Sequence, residues 1–341
     1  MRDAPLRAAV QTSYDAKNPR VELTRVRRPE IGPHQALIKV SAAGVNPLDV
    51  MIARGEVRLI TPYGLPLVVG NEMVGIVEHV GSSVRSLELG QRVFSRLPLG
   101  SIGAFAEYVA VDADALAAVP EHLSDEEAAA VPLTALTAVQ ALDLMGATAG
   151  GTIFISGGTG SVGAMAIPIA KSRGLTITTN GSAPNRERVL SLGADRFLDY
   201  RTEDYAQVLS GIDYVLDTLG GEETRRQMGI MRRGGHLVSL RGLPNGAFAS
   251  RMGMPTWKRA LFTAAGWRLD RAARRYGVRY DFIFVESNGV QLQEIADLLS
   301  TRRIVPSVDE VFPFDEVGAA LDKVANGHSR GKTVLSMTAR R

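Results

Sequence analysis

The 341-residue chain contains no cysteine. That excludes disulfides, cysteine-ligated zinc and thiol nucleophiles. No run of eighteen or more apolar residues suggests a membrane span. The N-terminal Met1-Arg-Asp-Ala-Pro-Leu-Arg lacks the apolar core of a signal peptide, so the expectation is a soluble, cytoplasmic protein. The histidines at 34, 79, 122, 236 and 328 are scattered without ligand spacing, which favours surface or structural roles and no metal site. Internal repeats and low-complexity stretches are also lacking.

What is present is the composition of an ordinary globular protein, 45% hydrophobic and 22% charged, and long enough for two domains. The net charge of +3 conceals an asymmetry. Residues 251–280 carry eight basic side chains against Asp270 alone, so that segment is +7 and the remainder −4. A basic surplus so localised gives no sign of a nucleic-acid binder. With Trp257, Leu261, Phe262 and Trp267 interleaved, the segment reads as a surface helix pair covering a sheet edge or a partner subunit. A basic amphipathic stretch can also lie on an anionic membrane.

The first 120 residues read as short strands and turns: Leu6–Thr12, Val21–Val26, Ala36–Ala43, Glu72–Val80, Gln91–Phe94 and Phe105–Val111, with a short helix over Pro47–Ala53. This suggests a small β-barrel-like domain. At Ser124-Asp-Glu-Glu127, a capping box, the period changes to strict strand–helix alternation. Strands 152–156, 175–179, 196–199, 213–217 and 236–240 each precede or close a helical stretch, which argues a doubly wound parallel sheet. Pro168 lies inside the first of these helices and should kink it or remove a backbone bond. The tail adds strand 282–285, helix 291–300, strand 308–312, helix 314–326 and strand 332–337.

The first strand of the alternating region runs into Gly157-Gly-Thr-Gly-Ser-Val-Gly163. The spacing Gly158-x-Gly160-x-x-Gly163 fits a dinucleotide fingerprint, with Ser161 and Val162 opening the helix whose N-terminus favours phosphate. An NAD-binding unit places an acid about twenty residues later, at the end of the second strand. Here no acid occurs between Gly163 and Glu187. Asn180, Gly181 and Ser182 can donate hydrogen bonds and Arg186 can neutralise charge, so the expected cofactor is NADP(H).

With these motifs in order, the chain resembles a medium-chain dehydrogenase/reductase of the zinc-independent, zeta-crystallin-like quinone oxidoreductase branch. The resemblance rests on Ala42-Ala-Gly-Val-Asn-Pro-Leu-Asp49, Gly70-Asn-Glu-Met-Val-Gly75, Gly90-Gln-Arg-Val93, Leu136-Thr-Ala138, the glycine loop, Asp199-Tyr-Arg201, Asp217-Thr-Leu-Gly-Gly221, Arg233-Gly-Gly235 and Gly331-Lys332. It implies an α/β protein with two domains. One is a GroES-like catalytic domain over 1–123 and 307–341. The other is a Rossmann NADP-binding domain over 124–306, with the basic insert near 244–280. Zinc-dependent relatives place a cysteine where Asn46 stands and a histidine where Asn71 stands. An amide oxygen is a poor zinc ligand, so the implied chemistry is hydride transfer to a quinone or an enone without metal.

The same resemblance places Asn46 and Thr137 beside the nicotinamide and Tyr200 beside the adenosine phosphate, and brings Gly242, Phe282, Phe284, Arg330 and Lys332 towards the nicotinamide half. Lys332 has an alternative role as anchor of the last strand. Relatives often carry tyrosine at the position of Pro47, which removes a phenolic donor there; Tyr63, in a loop expected to border the pocket, is a candidate donor with packing or surface exposure as its other reading, and solvent is an alternative proton source. Asp49 reads as structural, bonding backbone at the start of its helix. The family also implies a homodimer and a small-molecule substrate. Two other readings remain open at this point: an enoyl-thioester reductase of the same superfamily, and an NADPH-binding sensor or membrane-associated protein without turnover. A short-chain dehydrogenase does not fit, since none of the tyrosines has a lysine four positions later.

Overall fold

A computed structural model describes residues 5–15, 20–327 and 331–337. The chain divides into two compact units, Met1–Leu136 with Glu286–Arg341, and Thr137–Val285. Both junctions differ from the sequence expectation of 123/124 and 306/307, for a packing reason. The Ser124 capping box forms as read, its hydroxyl accepting from Glu127 N at 3.2 Å, but the helix it starts belongs to the first unit. Helix Gly289–Arg302 also joins that unit, where Gln293 Oε1 accepts from Ala118 N at 3.0 Å and His122 Nε2 lies 3.1 Å from the Ile304 carbonyl.

The first unit is β-rich. Its larger sheet runs in the order Val308–Pro313, Lys332–Ser336, Gln35–Val45, Glu72–Val80, Arg92–Arg96, Ala117–Ala118, with Tyr108–Asp112 also paired to Gln35–Val45. Gln35–Val45 therefore pairs with three partners, Tyr108–Asp112 along Gln35–Lys39, Lys332–Ser336 along Ala42–Val45 and Glu72–Val80 between Ala36 and Ala42. Register shifts against Glu72–Val80, between Leu37 and Ile38 and between Val40 and Ala42, bend the strand. Alternate residues of these strands (Ile38, Val40, Met73, Val77, Val93) fill one core with Leu97 and Phe105. The last strand pairs antiparallel with Gln35–Val45 across Thr333↔Val45 to Ser336↔Ala42, so the C-terminal segment completes a sheet begun near the N-terminus.

The second unit holds a six-stranded sheet in the order Arg196–Asp199, Thr176–Gly181, Thr152–Ile155, Ile212–Asp217, Met231–Ser239, Arg279–Phe282. All neighbouring pairs are parallel. This is the doubly wound order in which the chain reverses direction beside its first strand, where ligands bind such sheets. Helix Ser161–Ser172 runs through Pro168, whose side chain is buried with Met165, Ile167 and Ile169. Burial of this face outweighs the backbone bond that proline cannot make. The 244–280 stretch folds as the expected helix pair, Gly246–Arg251 and Thr256–Tyr276, leaving Trp257 and Trp267 exposed. The sixth strand begins at Arg279, three residues earlier than expected.

Segment Asp125–Met145 is long and apolar enough to cross a membrane by length and composition, although Thr134, Thr137, Gln140 and Asp143 interrupt its apolar residues. With 83% of its apolar window buried inside the protein, it is accounted for as core.

Candidate active site

In the first unit, the sequence around Asn46 builds a buried polar cluster. Asn46 precedes helix Pro47–Arg54 and is 3% exposed. Its backbone N–H donates to Asp49 Oδ2 at 2.7 Å, the structural role expected for Asp49. Asp49 Oδ1 accepts from Asn71 Nδ2 at 2.7 Å. The Asn46 amide is also held at both ends. Its Nδ2 donates to Glu72 Oε1 at 2.7 Å, and its Oδ1 accepts from Lys332 Nζ at 2.5 Å. Lys332 and Glu72 form an ion pair with side chains 3% and 0% exposed, and Glu72 Oε2 accepts from Leu133 N at 2.7 Å.

Gly44 makes room for this pair. A Cβ there would lie 2.4 Å from Glu72 Oε1 and 2.7 Å from Lys332 Cε. Burial pushes the Asp49 carboxyl up to about 6, with Glu72 adding to the rise, while hydrogen bonds from Asn71 and Asn46 oppose it.

These contacts bear on two of the expectations. Lys332 is committed to Glu72 and Asn46, in keeping with the anchoring role. Zinc does not fit the position equivalent to the metal ligands: two amides stand there, and an ammonium already bonds the one free oxygen of Asn46. Sequence reasoning missed Glu72. Its only trace was an acid inside an apolar strand, Glu72–Val80, where an unpaired carboxylate would be costly.

Tyr63 is half-buried. Its carbonyl accepts from Tyr14 Oη at 2.8 Å, and its own hydroxyl is buried with the Thr61 hydroxyl beside it and no other partner among the described residues. Burial raises the Tyr63 pKa, so the phenol stays protonated at neutral pH. Ile52 and Met73 are 1% and 0% exposed, and Met73 belongs to the hydrophobic core.

In the second unit, strand Thr152–Ile155 delivers the chain into the glycine loop, and Gly160 caps helix Ser161–Ser172. The loop fits a dinucleotide. A Cβ on Gly158 would lie 2.0 Å from Thr179 Oγ1, and one on Gly163 2.4 Å from the Gly157 carbonyl. Only bare backbone lets loop, strand and helix start approach so closely, and that backbone is what a pyrophosphate contacts. Asn180 is 6% exposed and turned to this loop, accepting from Gly157 N at 2.8 Å through its side chain and from Gly158 N at 3.0 Å through its carbonyl. It clamps the loop.

Gly181, Ser182 and Tyr200 come together beyond the second strand. Tyr200 N donates to the Gly181 carbonyl at 3.2 Å and its ring is 57% exposed, while Ser182 Oγ accepts from Asn185 Nδ2 at 3.1 Å. Arg186 lies over the Phe197 ring, 5.4 Å from its centroid. Arg188 is the cation that reaches the loop, donating to the Thr159 carbonyl at 2.9 Å, with burial lowering its pKa. Sequence reasoning passed over Arg188 although it stands two positions after Arg186.

Of the other expected contacts, Thr137 is 4% exposed and opens the second unit, whereas Asn46 lies in the first. Phe282 is buried edge-to-face against Phe248 at 5.1 Å, a packing role, and Phe284 is half-buried. Gly242 N donates to Ser239 Oγ at 2.8 Å. Arg330 falls outside the described residues. Asp217, not singled out as a functional residue, organises the loop after its strand. One carboxylate oxygen takes Leu219 N and Gly220 N at 3.0 Å and Gln227 at 3.2 Å, and the other takes Thr224 at 2.6 Å and Ser239 at 2.7 Å.

Known proteins match both units. Residues 32–121 fit the family model of the alcohol dehydrogenase GroES-like domain, and residues 192–335 that of a zinc-binding dehydrogenase. A mitochondrial NAD(P)H oxidoreductase of Danio rerio is 30% identical over 327 residues, 89% of this chain and 84% of that protein. The 2-methylene-furan-3-one reductase of Solanum lycopersicum is 30% identical over 322 residues, covering 92% and 74%. Among solved structures, the quinone oxidoreductase from Coxiella burnetii superposes with a TM-score of 0.82 at 27% identity, over 98% of this chain and all of that one.

Proposed function

The chain belongs to the zinc-independent quinone oxidoreductase-like branch of the medium-chain dehydrogenase/reductases, nicotinamide-dependent oxidoreductases, and from that premise we propose that it reduces quinones or α,β-unsaturated carbonyl compounds with NADPH. A bound nicotinamide supplies hydride. The observation that carries the reading is the Lys332–Glu72–Asn46 network at the position where relatives hold zinc. A network of amides and one internal ion pair offers no Lewis acid to polarise an isolated carbonyl. Conjugate acceptors need none, because their own π-system spreads the incoming charge onto oxygen.

The choice of NADPH over NADH is supported by the acid-free end of strand Thr176–Gly181 and by the cation beside it. A carboxylate there would repel a 2′-phosphate, whereas Ser182, Tyr200 and Arg188 offer donors and positive charge. A homodimer belongs to the same reading, supported by the sheet ending at strand Arg279–Phe282 with one edge unpaired among the described residues.

The test is consumption of reduced nicotinamide by the full chain with a panel of quinones, enones and CoA-linked enoyl thioesters. NADPH is expected to be oxidised with quinones or enones. NADPH bound but not oxidised across the panel would favour the sensor reading, and turnover confined to the thioesters the enoyl-thioester one. Arg188→Ala should weaken NADPH at least about tenfold while leaving NADH within about twofold, the loss of one charge-assisted contact.

A further inference from the structure

Arg96 ends strand Arg92–Arg96 opposite Glu72, and its side chain is fully buried. Only Nη1 is bonded, to the neighbouring Leu97 carbonyl; Nε and Nη2 have no hydrogen-bond partner among the described residues. The adjacent carboxylates do not serve it. Both oxygens of Glu72 are taken by Asn46, Lys332 and Leu133 N, and both of Asp49 by Asn46 N and Asn71. Glu286 acts on it through space. A buried guanidinium with half its fork unused is expensive to keep unless a ligand completes it. Two further hydroxyls are buried on one turn, in which Tyr63 N donates to the Thr61 carbonyl at 3.1 Å: Tyr63 Oη and Thr61 Oγ1 face one another and have no other partner among the described residues. Burial lowers the Arg96 pKa, and Tyr63, Glu72, Asp49 and Glu286 lie within electrostatic reach of it.

We propose that Arg96, with Tyr63 and Thr61, forms a buried oxyanion subsite that takes the carbonyl oxygen of the substrate. The ligand class is a planar quinone or enone oxygen on which negative charge develops. The inference rests on the proposed reduction. When a C–H bond forms at the acceptor carbon, the π-electron pair moves to the carbonyl oxygen. Nε and Nη2 of Arg96 then donate to that oxyanion, and the protonated Tyr63 hydroxyl adds a third bond. Solvent delivers the final proton, leaving Arg96 and Tyr63 unchanged. A cation held beside unfilled donors is pre-organised for charge that appears only on reaction, which explains why the fold tolerates it.

The probe is 4-nitrophenol, a planar ring bearing one oxygen that ionises near neutral pH and has a distinct absorbance in each form. The wild-type chain should bind it as the phenolate at a pH where the free probe is largely neutral. Arg96→Gln should lower its affinity at least about tenfold and return the bound probe to the neutral form, and Tyr63→Phe should lower affinity about threefold or more. Arg96→Gln should also unfold no earlier than wild type, because it removes an unpaired buried charge. Probe binding and ionisation unchanged in Arg96→Gln would overturn the subsite. So would an Arg96→Gln that unfolds earlier alongside a Tyr63→Phe that binds as wild type, since Arg96 would then be structural. A wild type that holds the phenolate through Arg96 yet reduces no quinone or enone leaves the subsite standing and removes the proposed reaction.

Discussion

Replacing Lys332 by Met tests whether the Asn46 cluster is held together by its one internal ion pair. Lys332 is 3% exposed and lies against Glu72 Oε1 and Asn46 Oδ1. Its loss leaves Glu72, 0% exposed, with hydrogen bonds from Asn46 and Leu133 N but no adjoining ammonium. Removing one partner of such a pair costs about 3–5 kcal/mol, because the remaining charge stays buried. Lys332→Met combined with Glu72→Gln removes that charge. The new amide can accept from Leu133 N and donate to the freed Asn46 oxygen, so the double variant should sit within about 1–2 kcal/mol of wild type. The second substitution should therefore recover on the order of 2–3 kcal/mol of the Lys332→Met loss, read from urea midpoints of the full chain. NADPH titration of the same proteins separates the two roles considered for Lys332. As an anchor, its loss is repaired in the double variant and NADPH affinity returns to within about threefold of wild type. A double variant no more stable than the single one would refute the ion-pair reasoning. A stable double variant that still binds NADPH poorly would return Lys332 to the cofactor.

Three further outcomes follow from the same geometry. Gly158→Ala places a Cβ 2.0 Å from Thr179 Oγ1 and 2.9 Å from Thr179 Cβ. It should cost about 1–3 kcal/mol and weaken NADPH; Thr179→Ala should restore part of the loss, and calorimetry of the pair checks this. Asp49 is raised from 3.8 to about 6, so its stabilising contribution is full below the ordinary carboxylate range and is lost as pH rises through about 6. The stability gap between wild type and Asp49→Asn should shift by on the order of 3 kcal/mol from about pH 3.5 to pH 7, with wild type losing ground; a flat gap in urea midpoints refutes it. Asp217→Ala strips the acceptor from five donors, Leu219 N and Gly220 N of the turn after its strand and the side chains of Thr224, Gln227 and Ser239, and should destabilise the protein by at least about 3 kcal/mol in chemical denaturation.

Much of the architecture was legible because period and punctuation report it. Strands Val21–Val26, Glu72–Val80 and Arg196–Asp199 occur as read, and the alternating region forms a parallel sheet. The glycine spacing announced a tight approach that the 2.0 Å contact at Gly158 makes concrete. The domain junctions were less legible, since helix Gly289–Arg302 has the same local pattern whichever unit it packs on.

The chain alone determined the classes of element, the dinucleotide loop, the absence of acid after it and the loss of the zinc ligands, because each is a local matter of residue type and spacing. Tertiary structure decided which polar side chains meet. Lys332 and Asn46 are 286 positions apart yet bonded. Arg188 rather than Arg186 turns to the loop, and Arg96 is buried with its fork unfilled. Such outcomes depend on which groups share a low-dielectric interior, where an unpaired charge is costly and a paired one is held in place, and one-dimensional spacing carries no record of that.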